Sequence, residues 1–123
     1  MTASDPIVLE VFSDYVCPWC YLGENRIRNL PERLNITVKR VHFPLHPETP
    51  AEGRKLQDMF GVPAEEIAAK NTRMRGLMEA DGLPYEDRSH TYNSRLAQEI
   101  GAWADSLGTE HGIHDAFFHA YFV

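Results

Sequence analysis

The sequence predicts an α/β chain in which a βαβ unit is followed by an all-helical segment, and three observations carry that reading. Two apolar runs rich in β-branched residues, Ile7 to Phe12 and Ile36 to Phe43, flank a stretch of helical spacing. Pro44, Pro47 and Pro50 then cluster in a loop. Beyond that loop, the patterned segments repeat their apolar residues at helical intervals.

The first run, IVLEVF, is continuous enough to predict a strand covered on both faces, and Ser13 and Asp14 break it. The segment CPWCYLGENRIRNLPERL follows as a helix. Pro18 suits its first position, where the missing N–H costs nothing. Tyr21, Ile27, Leu30 and Leu34 supply an apolar face, while Gly23 and Pro31 are places for the helix to bend or divide. ITVKRVHF is the second strand. A strand–helix–strand unit of this length places its strands parallel with a right-handed crossover. After the proline loop, a short helix is expected near Gly53 to Phe60, stopping at Gly61. A longer one starts at Pro63, with Glu65 and Glu66 favourable in its first turn. It presents Ile67, Met74, Leu77 and Met78 and ends at Gly82. In the third helix Leu96, Ile100, Trp103 and Leu107 form an apolar stripe, and Gly108 closes it. A fourth begins near Ile113. The division expected is residues 1–48 for the βαβ half and 49–123 for the helical part.

A chain of 123 residues is one small domain or part of a larger one, and at 43% hydrophobic it can bury a core. The net charge of −6 argues against nucleic acid as a partner, because phosphate binding needs a basic surface. No apolar run approaches the roughly 20 residues of a membrane span. The start, MTASDPIVLEVF, has no basic n-region and too short an apolar stretch for a signal peptide, so a cytoplasmic protein is expected. Disulfides there are usually transient, which disfavours a structural staple.

The chemistry concentrates in FSDYVCPWCYLG. Cys17 and Cys20 are the chain's two cysteines, spaced C-x-x-C between a strand and a helix. Cys17 is expected at the helix N-terminus, where unpaired N–H groups and the dipole favour a thiolate by about 0.3–2 kcal/mol. Its thiol is therefore expected below an ordinary cysteine. Cys20, one turn on, can attack a mixed disulfide formed on Cys17 and release the product. Cys17 is the candidate nucleophile and Cys20 the resolving thiol.

Zinc is the competing use of a C-x-x-C pair, and it needs four ligands. His42 and His46 have a usable spacing, but nothing in the sequence brings them to the cysteines, and no metal is assigned. His42, His46, His90, His111, His114 and His119 read as ordinary surface or packing residues. Asp14 is either a strand-end turn residue or part of a substrate site. Pro18, Trp19 and Tyr21 are the other candidates for substrate contact, Trp19 because a residue between two active cysteines is expected to be partly exposed.

VFSDYVCPWCYLG resembles the active-site segment of the DsbA-like thiol oxidoreductases, more closely their FrnE-type branch, and the resemblance continues through FPLHPETPAEG, NTRMRGLMEADGLPYE, YNSRLAQEIGAWAD and FFHAYF. It implies a thioredoxin-like sheet interrupted by a helical insertion, and a thiol–disulfide oxidoreductase acting on protein disulfides. It places the redox pair at Cys17 and Cys20, with Pro18 and Trp19 as the variable dipeptide. Strongly oxidising relatives carry histidine where Trp19 stands, which suggests a less oxidising couple here. No cofactor is implied beyond the Cys17–Cys20 disulfide itself, with glutathione a possible co-substrate.

The resemblance also implies two further strands and a cis-proline loop after the helices. No such segment follows HAYFV, so the second half of the fold is expected to be missing and activity impaired. Kappa-type glutathione transferases and 2-hydroxychromene-2-carboxylate isomerases are similar in fold, but usually carry serine at the position of Cys17. A third reading is an inactive interaction module. Ile113, Phe117 and Tyr121, with Phe118 and Phe122, make the last helix apolar on more than one face. Self-association through that helix or an open sheet edge is therefore expected.

Overall fold

The structure, a computed structural model, describes residues 5–108 and 112–123. Strand β1 (Ile7–Ser13) leads through a tight turn into helix α1 (Pro18–Ile27). A separate turn, α2 (Leu30–Arg33), follows, so the expected long helix divides between Ile27 and Leu30, just ahead of Pro31. Strand β2 (Ile36–His42) pairs parallel with β1 from Ile7↔Ile36 to Ser13↔His42, as the βαβ reading required. A part-buried ion pair from Glu24 on α1 to Arg40 on β2 ties the helix to this sheet, with Arg40 Nε 3.1 Å from Glu24 Oε2.

The strand expected to be covered on both faces is not. Ile7, Val8 and Phe12 are exposed while Leu9 and Val11 are half-buried, so β1 has one partly covered face and one open one. Its apolar run gave the strand but could not say what lies on either side of it.

The second part is not purely helical either. Arg54–Lys55 (β3) and His90–Thr91 (β4) form a short antiparallel pair that clips α3 (Leu56–Phe60) to the far end of the loop after α4 (Ala64–Ala80). Gly61 closes α3 with a φ of 65°, a left-handed conformation that favours glycine. Buried Asn71 on α4 organises the same loop. Its Nδ2 donates to Arg88 O at 2.9 Å, and its Oδ1 accepts from Tyr85 Oη at 3.1 Å.

Helix α5 (Arg95–Leu107) shows the largest departure from its sequence pattern. Leu96, Trp103 and Leu107 of the apolar stripe are 68%, 63% and 69% exposed, and the buried side carries Gln98, Gly101 and Ala104. The small residues face inward because the chain brings Tyr15 and His42 against this helix, leaving no room for a Cβ at Gly101.

The core is aromatic and shared by both parts of the chain. Tyr15, Tyr21 and Leu22 from the first part pack with Met74, Met78, Tyr85, Phe118 and Phe122 from the second. Tyr21 stacks on Phe122 with ring centroids 5.1 Å apart, and Phe118 lies 5.3 Å from Tyr15. Phe118 and Phe122, expected as an exposed association surface on α6 (Ile113–Phe122), are thus buried within the chain itself. Among the described residues β1 and β2 pair only with each other. No helix among the described residues is long and apolar enough to cross a membrane.

Candidate active site

The turn between β1 and α1 builds the site. Asp14 is 1% exposed, and its carboxylate accepts from Leu45 N at 2.8 Å and Val16 N at 3.4 Å. Its carbonyl accepts from Cys17 N at 3.2 Å. Asp14 thus locks the strand end to the loop after β2. It is a positioning residue, and the expectation that it touches substrate does not survive its burial.

Cys17 is the residue that opens α1, with Pro18 in the first turn. The Cys17 carbonyl accepts from Cys20 N and Tyr21 N, both at 3.1 Å, which puts the two side chains on one face. Both thiols are free and half-buried. They titrate as a pair through a hydrogen bond between them. The thiol of Cys17, donating to Cys20, together with the Asp14 backbone N–H and the Ser13 hydroxyl, overcomes burial and brings Cys20 down to about 6. The same bond, with burial, pushes Cys17 up. The depression thus belongs to the pair, which shares one proton, rather than to Cys17 alone. The N–H groups of Cys20 and Trp19 pull Cys17 down, against the proton it shares with Cys20.

The two sulfurs differ in what they face. Cys20 packs against the aromatic core. Cys17 opens on a groove of about 360 Å³ with Pro18 and Trp19 on one wall. Leu45, Met59, Phe60 and Met74 supply apolar lining. Trp19 is 53% exposed, with the Arg73 guanidinium 6.0 Å from its ring. Pro18 and Trp19 thus stand where a partner would meet them. Tyr21 does not: it is 4% exposed and donates to Pro84 O at 2.8 Å, a core residue rather than a contact for substrate.

The histidines take several places. His46 lines the groove. His42 Nε2 and His114 Nε2 approach the two oxygens of Asp105 at 3.0 and 2.8 Å, and Tyr15 Oη meets His114 Nδ1 at 2.6 Å, a network behind the site. Burial lowers His114, and burial with the Asp105 charge raises Tyr15. His111 lies outside the described residues. No group of three or more His, Cys, Asp or Glu among the described residues is placed to hold a metal.

Sequence reasoning missed the second wall of the groove: Lys70, Arg73 and Met74 from α4, and Arg88 from the loop after it. The one available signal was Lys70 and Arg73 at i, i+3 on a single helix, which marks a shared face but not what that face meets.

A family model for the DSBA-like thioredoxin domain matches residues 8–123. The chain belongs to that family. Among solved structures, it is similar to a probable DsbA oxidoreductase from Streptomyces coelicolor, at 25% identity and a TM-score of 0.80. The match covers 94% of this chain and 54% of that one, so the chain spans about half the length of that relative. No curated protein matches. Membership accounts for the order seen here, a thioredoxin-like βαβ unit carrying its cysteines at the strand–helix turn and followed by helices.

Proposed function

We propose that the chain is a thiol–disulfide oxidoreductase acting on protein disulfides through Cys17 and Cys20, in the FrnE-type branch of the DsbA-like family and in the cytoplasm. The observation that carries this is the asymmetry of the pair: two neighbouring thiols one helical turn apart, of which Cys17 lines the groove and Cys20 packs on the core.

The reactive form of the reduced pair holds one proton and one negative charge. As Cys17 attacks a substrate disulfide, its proton crosses to Cys20. A Cys17–substrate bond forms, the substrate S–S bond breaks, and one substrate thiolate leaves. That thiolate takes the proton from Cys20, and Cys20 then attacks Cys17 Sγ, releasing the second substrate sulfur as thiolate. The dithiol is oxidised by two electrons and the substrate disulfide is reduced by two. The reverse sequence oxidises a substrate dithiol, and the direction follows the potential of the partner couple.

Insulin reduction in a glutathione buffer tests the proposal. Wild type is expected to turn over, Cys17→Ser to be inactive, and Cys20→Ser to accumulate a mixed disulfide on Cys17, seen by mass spectrometry. Activity retained by Cys17→Ser, or adducts found on Cys20 of the wild type, would overturn the assignment. Tightly bound glutathione with no disulfide exchange would transfer the chain to the isomerase reading.

A further inference from the structure

We infer that the groove at Cys17 selects protein segments whose cysteine is flanked by acidic residues. This rests on the reading of Cys17 and Cys20 as exchanging thiols.

The lining of the groove has a one-sided charge. Lys70, Arg73 and Arg88 reach it, and among the described residues no carboxylate lines it. Nor does any of the three pair with a carboxylate among those residues. The Lys70 ammonium stands 5.0 Å over the Phe60 ring, and Arg73 stands over Trp19. Arg88 spends its donors on neutral oxygens, with Nη1 3.4 Å from Val16 O and 3.2 Å from Tyr121 Oη and Nε 3.4 Å from Tyr85 Oη. Its guanidinium also lies 5.3 Å from the Phe122 ring centre. Its position is therefore fixed while its charge stays uncompensated. His46, on the same rim, is not counted, since its Nδ1 lies 3.6 Å from Glu48.

This cluster sits on a chain of net charge −6. The surrounding negative charge does not cancel it, because at physiological salt fields decay over about 8 Å, so a substrate seated at Cys17 senses the groove rather than the whole chain. In the same groove the apolar lining of Met59, Phe60 and Met74 would take a side chain while the cations of the second wall meet carboxylates that flank the reacting cysteine. A basic segment meets repulsion in the same place, so the groove discriminates by charge as well as by contact.

Peptides carrying one cysteine as a mixed disulfide with 2-thiopyridine provide the test. Their flanks are two aspartates, two glutamines or two lysines. Release of thiopyridone is followed spectroscopically, and each rate is divided by the rate of the same peptide with mercaptoethanol, which removes the effect of the flanks on intrinsic reactivity. Neutral dipyridyl disulfide serves as the chemistry control. The corrected acidic-to-basic ratio is expected to be several-fold above one at about 0.15 M salt, where the groove is felt and the distant charge of the chain is screened, and to collapse towards one at about 0.5 M salt. In Lys70→Glu/Arg73→Glu, the ratio is expected to fall below one. If that variant does not fold, the salt series on wild type decides alone. A ratio near one at about 0.15 M salt, with dipyridyl disulfide still reacting, overturns this inference and leaves the proposed function standing. Failure to react with dipyridyl disulfide overturns both. A glutathione mixed disulfide reacting faster than the acidic peptide reassigns the groove to a small anionic thiol and overturns the peptide assignment.

Discussion

Replacing Gly101 by alanine tests the packing that holds the site from behind. Gly101 lies mid-helix in α5, where alanine is normally favoured by about 0.8–1.0 kcal/mol. Here an added Cβ would stand 3.0 Å from His42 Cε1 and 3.2 Å from Tyr15 Cζ, and would overlap the Tyr15 hydroxyl outright. The hydroxyl cannot retreat cheaply. It is held 2.6 Å from His114 Nδ1, and its ring is wedged 5.0 Å from Phe117 and 5.3 Å from Phe118. Relief therefore means overpacking strain of about 1–3 kcal/mol. It also breaks the buried hydrogen bond of the Tyr15 hydroxyl to His114 Nδ1, at about 1–3 kcal/mol. After the propensity gain, the net destabilisation is about 3 kcal/mol. Urea unfolding followed by circular dichroism should show the midpoint falling by about 1–3 M for an m-value of about 1–3 kcal/mol/M. Gly76→Ala is the paired control. Gly76 is also mid-helix, but nothing lies within 4 Å of its added Cβ, so this variant should gain up to about 1 kcal/mol. A Gly101→Ala protein as stable as wild type, with an unchanged m-value, would refute the packing argument.

The thiol pair makes the stability of the reduced protein depend on pH with a definite sign. Cys20 falls from an unfolded value of about 8.5 to about 6, so its contribution is present above 8.5 and is lost as pH falls towards 6. Cys17 is raised, so its contribution is present below about 8.5 and is lost as pH rises beyond it. The difference in unfolding free energy between wild type and Cys17→Ser/Cys20→Ser should therefore peak near 8.5, and a flat difference across pH 5–10 would contradict the shared proton. Tyr21→Phe should lose about 0.5–1.5 kcal/mol of stability through the bond to Pro84 O, while its rate with dipyridyl disulfide stays within twofold of wild type. A large rate loss at unchanged stability would return Tyr21 to the substrate site. Sedimentation equilibrium from about 5 to 200 μM should show association through the open β1–β2 edges, with mass rising above 14.0 kDa, and a clean monomer throughout would refute it.

Much of the site was legible without coordinates because its chemistry is local. A strand ending at Ser13, a proline just inside a helix and two cysteines one turn apart determine by backbone geometry that Cys17 opens the helix and Cys20 shares its face. The parallel pairing of β1 and β2 follows from the length between them. What the local pattern could not decide was which face of each element the rest of the chain would cover. Leu96, Trp103 and Leu107 make the stronger apolar stripe of α5, yet Gly101 and Ala104 face inward, because the rings of Tyr15 and His42 arrive from elements about 60 to 90 residues away and need a surface without side chains. The same distance hid the buried roles of Asp14 and Tyr21, whose partners Leu45 and Pro84 come from later segments. It also hid the cationic wall of the groove, where Lys70, Arg73 and Arg88 meet Cys17 only after α4 and its loop fold back over the start of α1. Periodicity determines that a face exists. Only the long-range packing of bulky rings and buried hydrogen bonds decides what that face meets.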